Sequence, residues 1–243
     1  MKTSQNIITK NTISRLVKDI KQIIKFPLIE NGIYYSHDET DMLKGYALIV
    51  GQSDTPYYGG FYFFEFTYPT DYPHSPPVVT YHTNGHNVRF NPNLYKCGKV
   101  CISILNTWRG EQWSSCQNIS TVLLTLCIIL NKDPLLNEPG VSRLHRDLQN
   151  YNHIIEFSNI NIAVCDIVNK SSYIYKDQFS TFYPYIKEIF LKNYTEYIDI
   201  CKRNNEIITK NTIIKTGFYD MKITINYEIL MNKLERTRET LLI

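Results

Sequence analysis

Between Pro69 and Pro77 the chain places four prolines in nine residues, PTDYPHSPP. A segment so short of backbone donors can be neither helix nor interior strand, so it fixes a rigid irregular turn. Its flanks must then carry the regular structure. On one side, Gly32 to Ser36, Lys44 to Val50 and Phe61 to Tyr68 are rich in Tyr, Phe, Ile and Val, and on the other stands Val78 to Tyr81, the composition of strands. The links 37–41 and 52–60 are polar or carry Gly and Pro, which lets neighbouring strands return as hairpins. The pattern predicts a four-stranded antiparallel meander whose last connection is the proline turn.

Helical periodicity brackets this meander. Ile13, Leu16, Val17, Ile20 and Ile24 recur at helical spacing behind Asn11 and Thr12, either of which can cap the first turn, and Pro27 closes the helix. Ile119, Val122, Leu123, Leu126, Ile129 and Leu130 outline a helix apolar nearly all round, hence a buried one. Phe157, Ile160, Val164, Ile167 and Val168 mark a third, with a single apolar stripe. Helix, strands and helices in that order give an α+β fold. From about Lys170 a helical extension follows, with Phe179 to Ile198 and Tyr227 to Leu234 both periodic, expected to pack back on the core. The expected division is 10–170 and 171–243. The heptapeptide IITKNTI occurs at 7–13 and again at 207–213, and one distant copy is no repeat architecture.

The chain's 243 residues, 43% hydrophobic, suffice for one substantial core plus an extension. A net charge of +3 is too mild to argue for nucleic acid. The longest nearly apolar run, Val122 to Leu130, is far short of the ~20 residues of a membrane helix. The first fourteen residues hold no apolar signal core, so the cysteines at 97, 101, 116, 127, 165 and 201 are expected to be reduced thiols of an intracellular protein, cytoplasmic or nuclear.

The stretch FNPNLYKCGKVCISILNTWRGEQW, Phe90 to Trp113, carries the chemistry. Asn91-Pro92-Asn93 forms a turn, Cys101 follows Asn93 by eight residues, and Trp113-Ser114 closes the loop. Together with the proline turn, this resembles the active-site loop of the ubiquitin-conjugating enzymes, whose signature is His-Pro-Asn, eight residues to the catalytic Cys, then Trp-Ser. Asn91 replaces the usual histidine, and the segment between Cys101 and Trp113 is long and holds an extra Trp108. Both departures, with Asn137-Glu138-Pro139-Gly140, are similar to the Z-type subgroup with C-terminal extensions. The resemblance runs from about residue 11 to 170 and weakly beyond.

The resemblance implies that Cys101 accepts ubiquitin or a ubiquitin-like modifier from an activating enzyme as a thioester and passes it to a lysine amine, directly or with a ligase. A free thiol is a few per cent thiolate at neutral pH. Thioester exchange is nearly energy-neutral, so no metal or cofactor is implied and ATP is spent by the activating enzyme. Asn93 stands for oxyanion or loop support, and Glu138 for the acid that positions the lysine, with Asp133 as the fallback. Asn91, Ser103, Asn137 and Trp113 would support the site, and His74, Ser115 and Cys116 occupy the ligase-contact places. Weak use of ordinary RING-type ligases is the expectation from those three, and choice of modifier or activating enzyme is a hypothesis for the extension. Two rivals stand beside this reading: a non-catalytic binding module of the same fold, and a cysteine hydrolase using His82 or His86 as base. Zinc held by Cys97, Cys101 and Cys116 with His82 or His86 fits no compact ligand spacing.

Overall fold

The computed structural model describes residues 8–242 apart from 86 and 172; His86 lies outside the described residues. Helix α1, Lys10–Lys25, begins at Thr9, whose hydroxyl accepts from the Thr12 N–H at 3.1 Å. The cap thus lies ahead of Asn11 and Thr12, and the buried face also differs from the apolar spacing: Thr12, Leu16, Asp19 and Ile23 are covered while Ile13 and Ile24 are exposed. The reason is polar docking. Thr12 donates to the Thr70 carbonyl at 2.8 Å and Tyr72 donates to Asp19 at 2.6 Å, so α1 is seated against the proline turn by two hydrogen-bonded side chains that a hydrophobic pattern does not reveal.

Strands β1, Ile33–His37, β2, Lys44–Val50, β3, Phe61–Thr67, and β4, Val78–Tyr81, pair antiparallel in that order, with Ile33 opposite Ile49, Val50 opposite Phe61 and Thr67 opposite Val78. Phe61, Tyr62, Phe63, Phe64 and Phe66 of β3 are all buried, which in an alternating strand requires cover on both faces. Helix α2, Ile119–Ile129, packs near β2 on one side. It buries Ile119, Val122, Leu123 and Leu126 but leaves Ile128 exposed, so the all-round burial expected of it is half realised. The other face is covered from the extension: Phe179 stacks on Phe63 with centroids 4.3 Å apart and meets Tyr46 edge-on.

Helix α3, Asp147–Ser158, starts ten residues before the predicted stripe and continues as a π-helical turn, Asn159–Asp166. That widened turn buries residues all round rather than along one stripe. It also turns Asn159 inward, where its amide accepts from Tyr62 at 2.6 Å and donates to the Tyr58 carbonyl at 2.9 Å.

The extension is not wholly helical. Helix α4, Tyr183–Ile207, and helix α5, Tyr227–Leu242, are joined by an antiparallel hairpin, β5, Thr212–Lys215, with β6, Lys222–Ile225. The two IITKNTI copies fold differently: Thr9 opens a helix, whereas in the second copy Asn211 turns left-handed at φ 61° and Thr212 enters a strand. Tertiary context overrides identical local sequence.

Candidate functional site

The Asn91-Pro92-Asn93 turn is held from inside the protein. Asn91 is fully buried; its Nδ2 donates to Tyr57 Oη at 2.9 Å and to the Ile129 carbonyl at 2.7 Å, while its Oδ1 accepts the Asn93 N–H at 2.9 Å. An amide side chain offers two donors and an acceptor that can serve all three groups. Asn137 extends the network, donating to Asn91 Oδ1 at 3.4 Å and to the Ile129 carbonyl at 3.0 Å, and accepting from Asn131 at 2.9 Å.

Asn93 and Cys101 are tied by a reciprocal pair. The Cys101 N–H donates to the Asn93 carbonyl at 2.8 Å and Asn93 Nδ2 donates to the Cys101 carbonyl at 2.7 Å. The carbonyl partner fixes which end of the amide is nitrogen, so one N–H of Asn93 is committed to loop support and Oδ1 is left buried without a partner among the described residues. Cys101 itself is 2% exposed. After it comes a single 3-10 turn, Ser103–Leu105, burying Ile104 and Leu105, and Thr107 laces the loop: its hydroxyl accepts the Ile102 N–H and lies 3.0 Å from the Val100 and Ile102 carbonyls. Ser103 is half-buried at the turn's start, under Gly110. A cleft of about 440 Å³ runs alongside, lined by Pro76, Val79, Gly98, Val100, Leu105 and Thr107.

Trp113 joins this loop to the proline turn, donating to the Pro73 carbonyl at 2.8 Å and lying 5.9 Å from the Tyr72 ring. His74, Ser115 and Cys116 are exposed on these two neighbouring loops. Sequence reasoning missed Arg15, which holds the 115–117 loop in place: its guanidinium donates to the Ser115 carbonyl at 2.6 Å and the Gln117 carbonyl at 2.5 Å while paired with Asp19 at 2.9 Å. An Arg four residues before an Asp on the same helix was the available signal.

Glu138 follows the short 3-10 turn Pro134–Asn137, so Asn137 sets its place beside the Asn91 network. Its carboxylate accepts a hydrogen bond from the Tyr219 hydroxyl, a residue of the extension that the sequence reading did not single out. Asp133 instead lines a separate cleft of about 820 Å³ with Asn152, Glu156 and Arg203. His82 is engaged at both ring nitrogens, Nε2 with Glu65 at 3.0 Å and Nδ1 with Lys176 at 3.0 Å. Burial first and the Lys176 cation second hold it below the usual histidine range, with Glu65 acting the other way; the Lys176 ammonium can only donate, which makes Nδ1 the acceptor and leaves Nε2–H for Glu65. Its base lone pair is spent on Lys176. No helix of the described residues is long and apolar enough to cross a membrane.

The family model of ubiquitin-conjugating enzymes matches residues 15–159. Among curated proteins, the chain is similar to ubiquitin-conjugating enzyme E2 Z of Danio rerio, 37% identical over 236 residues that cover 96% of this chain and 70% of that protein. The Xenopus tropicalis protein of the same name is 37% identical over 226 residues, covering 92% and 70%. The human one is 46% identical over 157 residues, 63% of this chain and 44% of its own length. With the meander, the proline turn and the tied Asn93–Cys101 loop in one structure, this chain belongs to the ubiquitin-conjugating enzyme family.

Proposed function

We propose that Cys101 carries ubiquitin or a ubiquitin-like modifier as a thioester and that the chain transfers it to lysine. The supporting observation is the reciprocal Asn93–Cys101 hydrogen-bond pair, which fixes the cysteine backbone in a loop of the family's spacing. In charging, the Cys101 thiolate attacks the thioester carbonyl on the activating enzyme and that enzyme's thiolate leaves, so acyl bonds are conserved. In transfer, a neutral lysine amine attacks the Cys101 thioester, the Cys101 thiolate leaves and an isopeptide forms. At 2% exposure the thiol admits a thin glycyl tail better than a bulky group.

Asn93 has a second N–H to give the oxyanion, a contribution of about 3 kcal/mol for such a donor. Glu138 orients the lysine and helps remove its proton, because under roughly 0.1% of a free lysine is neutral at pH 7. The chain needs no cofactor of its own, works in the cytoplasm or nucleus, and meets an activating enzyme, a lysine-bearing substrate and, through the surface of His74, Ser115 and Cys116, a ligase. The test is charging with activating enzyme, ubiquitin and ATP, resolved on gels with and without reductant. Wild type should form a thiol-sensitive adduct, and Cys101→Ser none or a thiol-resistant ester. Absence of any adduct with several activating enzymes and modifiers would overturn the carrier reading in favour of a binding module.

A further inference from the structure

Among the described residues, the extension reaches into the site through the turn between β5 and β6. That turn is a built object. Asp147, buried at the start of α3, accepts the Gly217 and Phe218 N–H groups at 2.8 and 3.1 Å; Thr216 bonds across it to the Phe218 carbonyl at 2.8 Å and to the Met221 carbonyl at 3.1 Å; and Phe218 lies 5.1 Å from the His145 ring. Inside it two successive residues that are not glycine, Tyr219 at φ 61° and Asp220 at φ 47°, are left-handed. Such backbone is unfavourable and persists only where its surroundings impose it, commonly for a purpose at a site.

The purpose is visible in where the Tyr219 side chain goes. Its hydroxyl donates to Glu138 Oε2, and its ring lies under the Arg89 guanidinium, 4.4 Å from the centroid. Arg89 in turn packs on Tyr95 at 3.6 Å and donates to the Pro92 carbonyl at 2.5 Å and the Asn91 carbonyl at 3.4 Å. One residue therefore grips both the acid proposed to receive the lysine and the turn that carries Asn93. Burial, then the bond to Glu138, holds the phenol well above its ordinary range, so it stays a donor at every working pH.

From this geometry we infer that Tyr219 is a positioning residue for lysine transfer: it locks one oxygen of Glu138 so that the other faces the incoming amine. The inference rests on the role of Glu138 proposed above. A carboxylate freed to rotate would meet the lysine in fewer of its orientations, and small misplacements of an orienting group lower rates without touching the nucleophile. The extension would then take part in the second half-reaction as well as in stability.

The experiment compares wild type, Tyr219→Phe, Glu138→Gln and the double variant as full chains. Each is charged with ubiquitin and then discharged into a series of free L-lysine concentrations, with thermal melting as the check on folding. Phe keeps the ring on Arg89 and removes only the hydroxyl. The expected result is charging in step with wild type, lysine discharge slowed about threefold to tenfold with most of the change in the lysine KM, and no further slowing when Tyr219→Phe is added to Glu138→Gln. Equal slowing in both backgrounds, or no slowing by Tyr219→Phe while Glu138→Gln is slow, overturns the Tyr219 role and leaves Glu138 intact. Normal discharge by Glu138→Gln overturns the assignment of Glu138 and with it the Tyr219 role.

Discussion

Replacing Asn91 with Ala tests whether the histidine-free turn is held by hydrogen bonding rather than by packing of a ring. Three good bonds are lost, and their consequences differ. The Ile129 carbonyl keeps its bond from Asn137 at 3.0 Å, and the Tyr57 hydroxyl keeps its donation to the Phe90 carbonyl at 2.6 Å. The Asn93 N–H, buried and served among the described residues only by Asn91 Oδ1, is orphaned. Two bonds lost with satisfied partners cost about 0.5–1 kcal/mol each and the orphan about 1–3 kcal/mol, a total near 3 kcal/mol. For a chain of this size that is a fall in melting temperature of roughly 6–12 °C. The assay is urea denaturation with a common m-value, alongside thermal melting and the rate of thioester charging, which should fall because the orphaned group lies in the turn that carries Asn93. Asn91→His, one donor and one acceptor, should recover part of the loss. A loss below about 1 kcal/mol for Asn91→Ala would refute the reasoning, since the orphan alone accounts for that much.

Asp19→Ala should cost about 3 kcal/mol, because it strips a buried carboxylate from both Arg15 and Tyr72. It should also slow turnover with activating enzyme or ligase through the loosened 115–117 loop, while a stability change under 1 kcal/mol in denaturant titration would count against the docking described for α1. Burial holds His37, His82 and His153 below the ordinary histidine value. The unfolded chain therefore takes up their protons first as pH falls past ~6.5, so the stability they contribute is present above that pH and lost below it. Lys176→Ala removes a cation that depresses His82, and an NMR titration should show the His82 pKa rising; an unchanged value would refute the contact between Lys176 and the ring as a cause of the depression. Burial pushes the Cys165 and Cys201 thiols up to about 12, so iodoacetamide at pH 8 should label exposed Cys97 and Cys116 but neither of these in the folded protein, as mass spectrometry would show; rapid native labelling of Cys165 would contradict it.

Much of the core was legible in local pattern. The strands were, because alternation of Tyr, Phe, Ile and Val and the proline punctuation act over a few residues, and β2 and β4 fall where the pattern puts them. The Asn-Pro-Asn turn and Cys101 were also legible, since their meaning lies in a fixed spacing along one loop. Contacts made by residues distant in sequence were not. Thr12 read as a candidate cap and Asp19 carried no apolar signal, and their burial depends on Thr70 and Tyr72 as partners. The β5–β6 hairpin hid behind a heptapeptide that opens a helix elsewhere. Glu138 read as the candidate acid for the lysine, but nothing nearby in sequence announces the Tyr219 hydroxyl. Sequence by itself determined the order of elements in the core and singled out Cys101 as the candidate thiol, because periodicity, turn chemistry and spacing are local. Only the tertiary structure decided which polar groups are buried and paired, because desolvation and hydrogen-bond geometry depend on what the rest of the chain brings to each side chain.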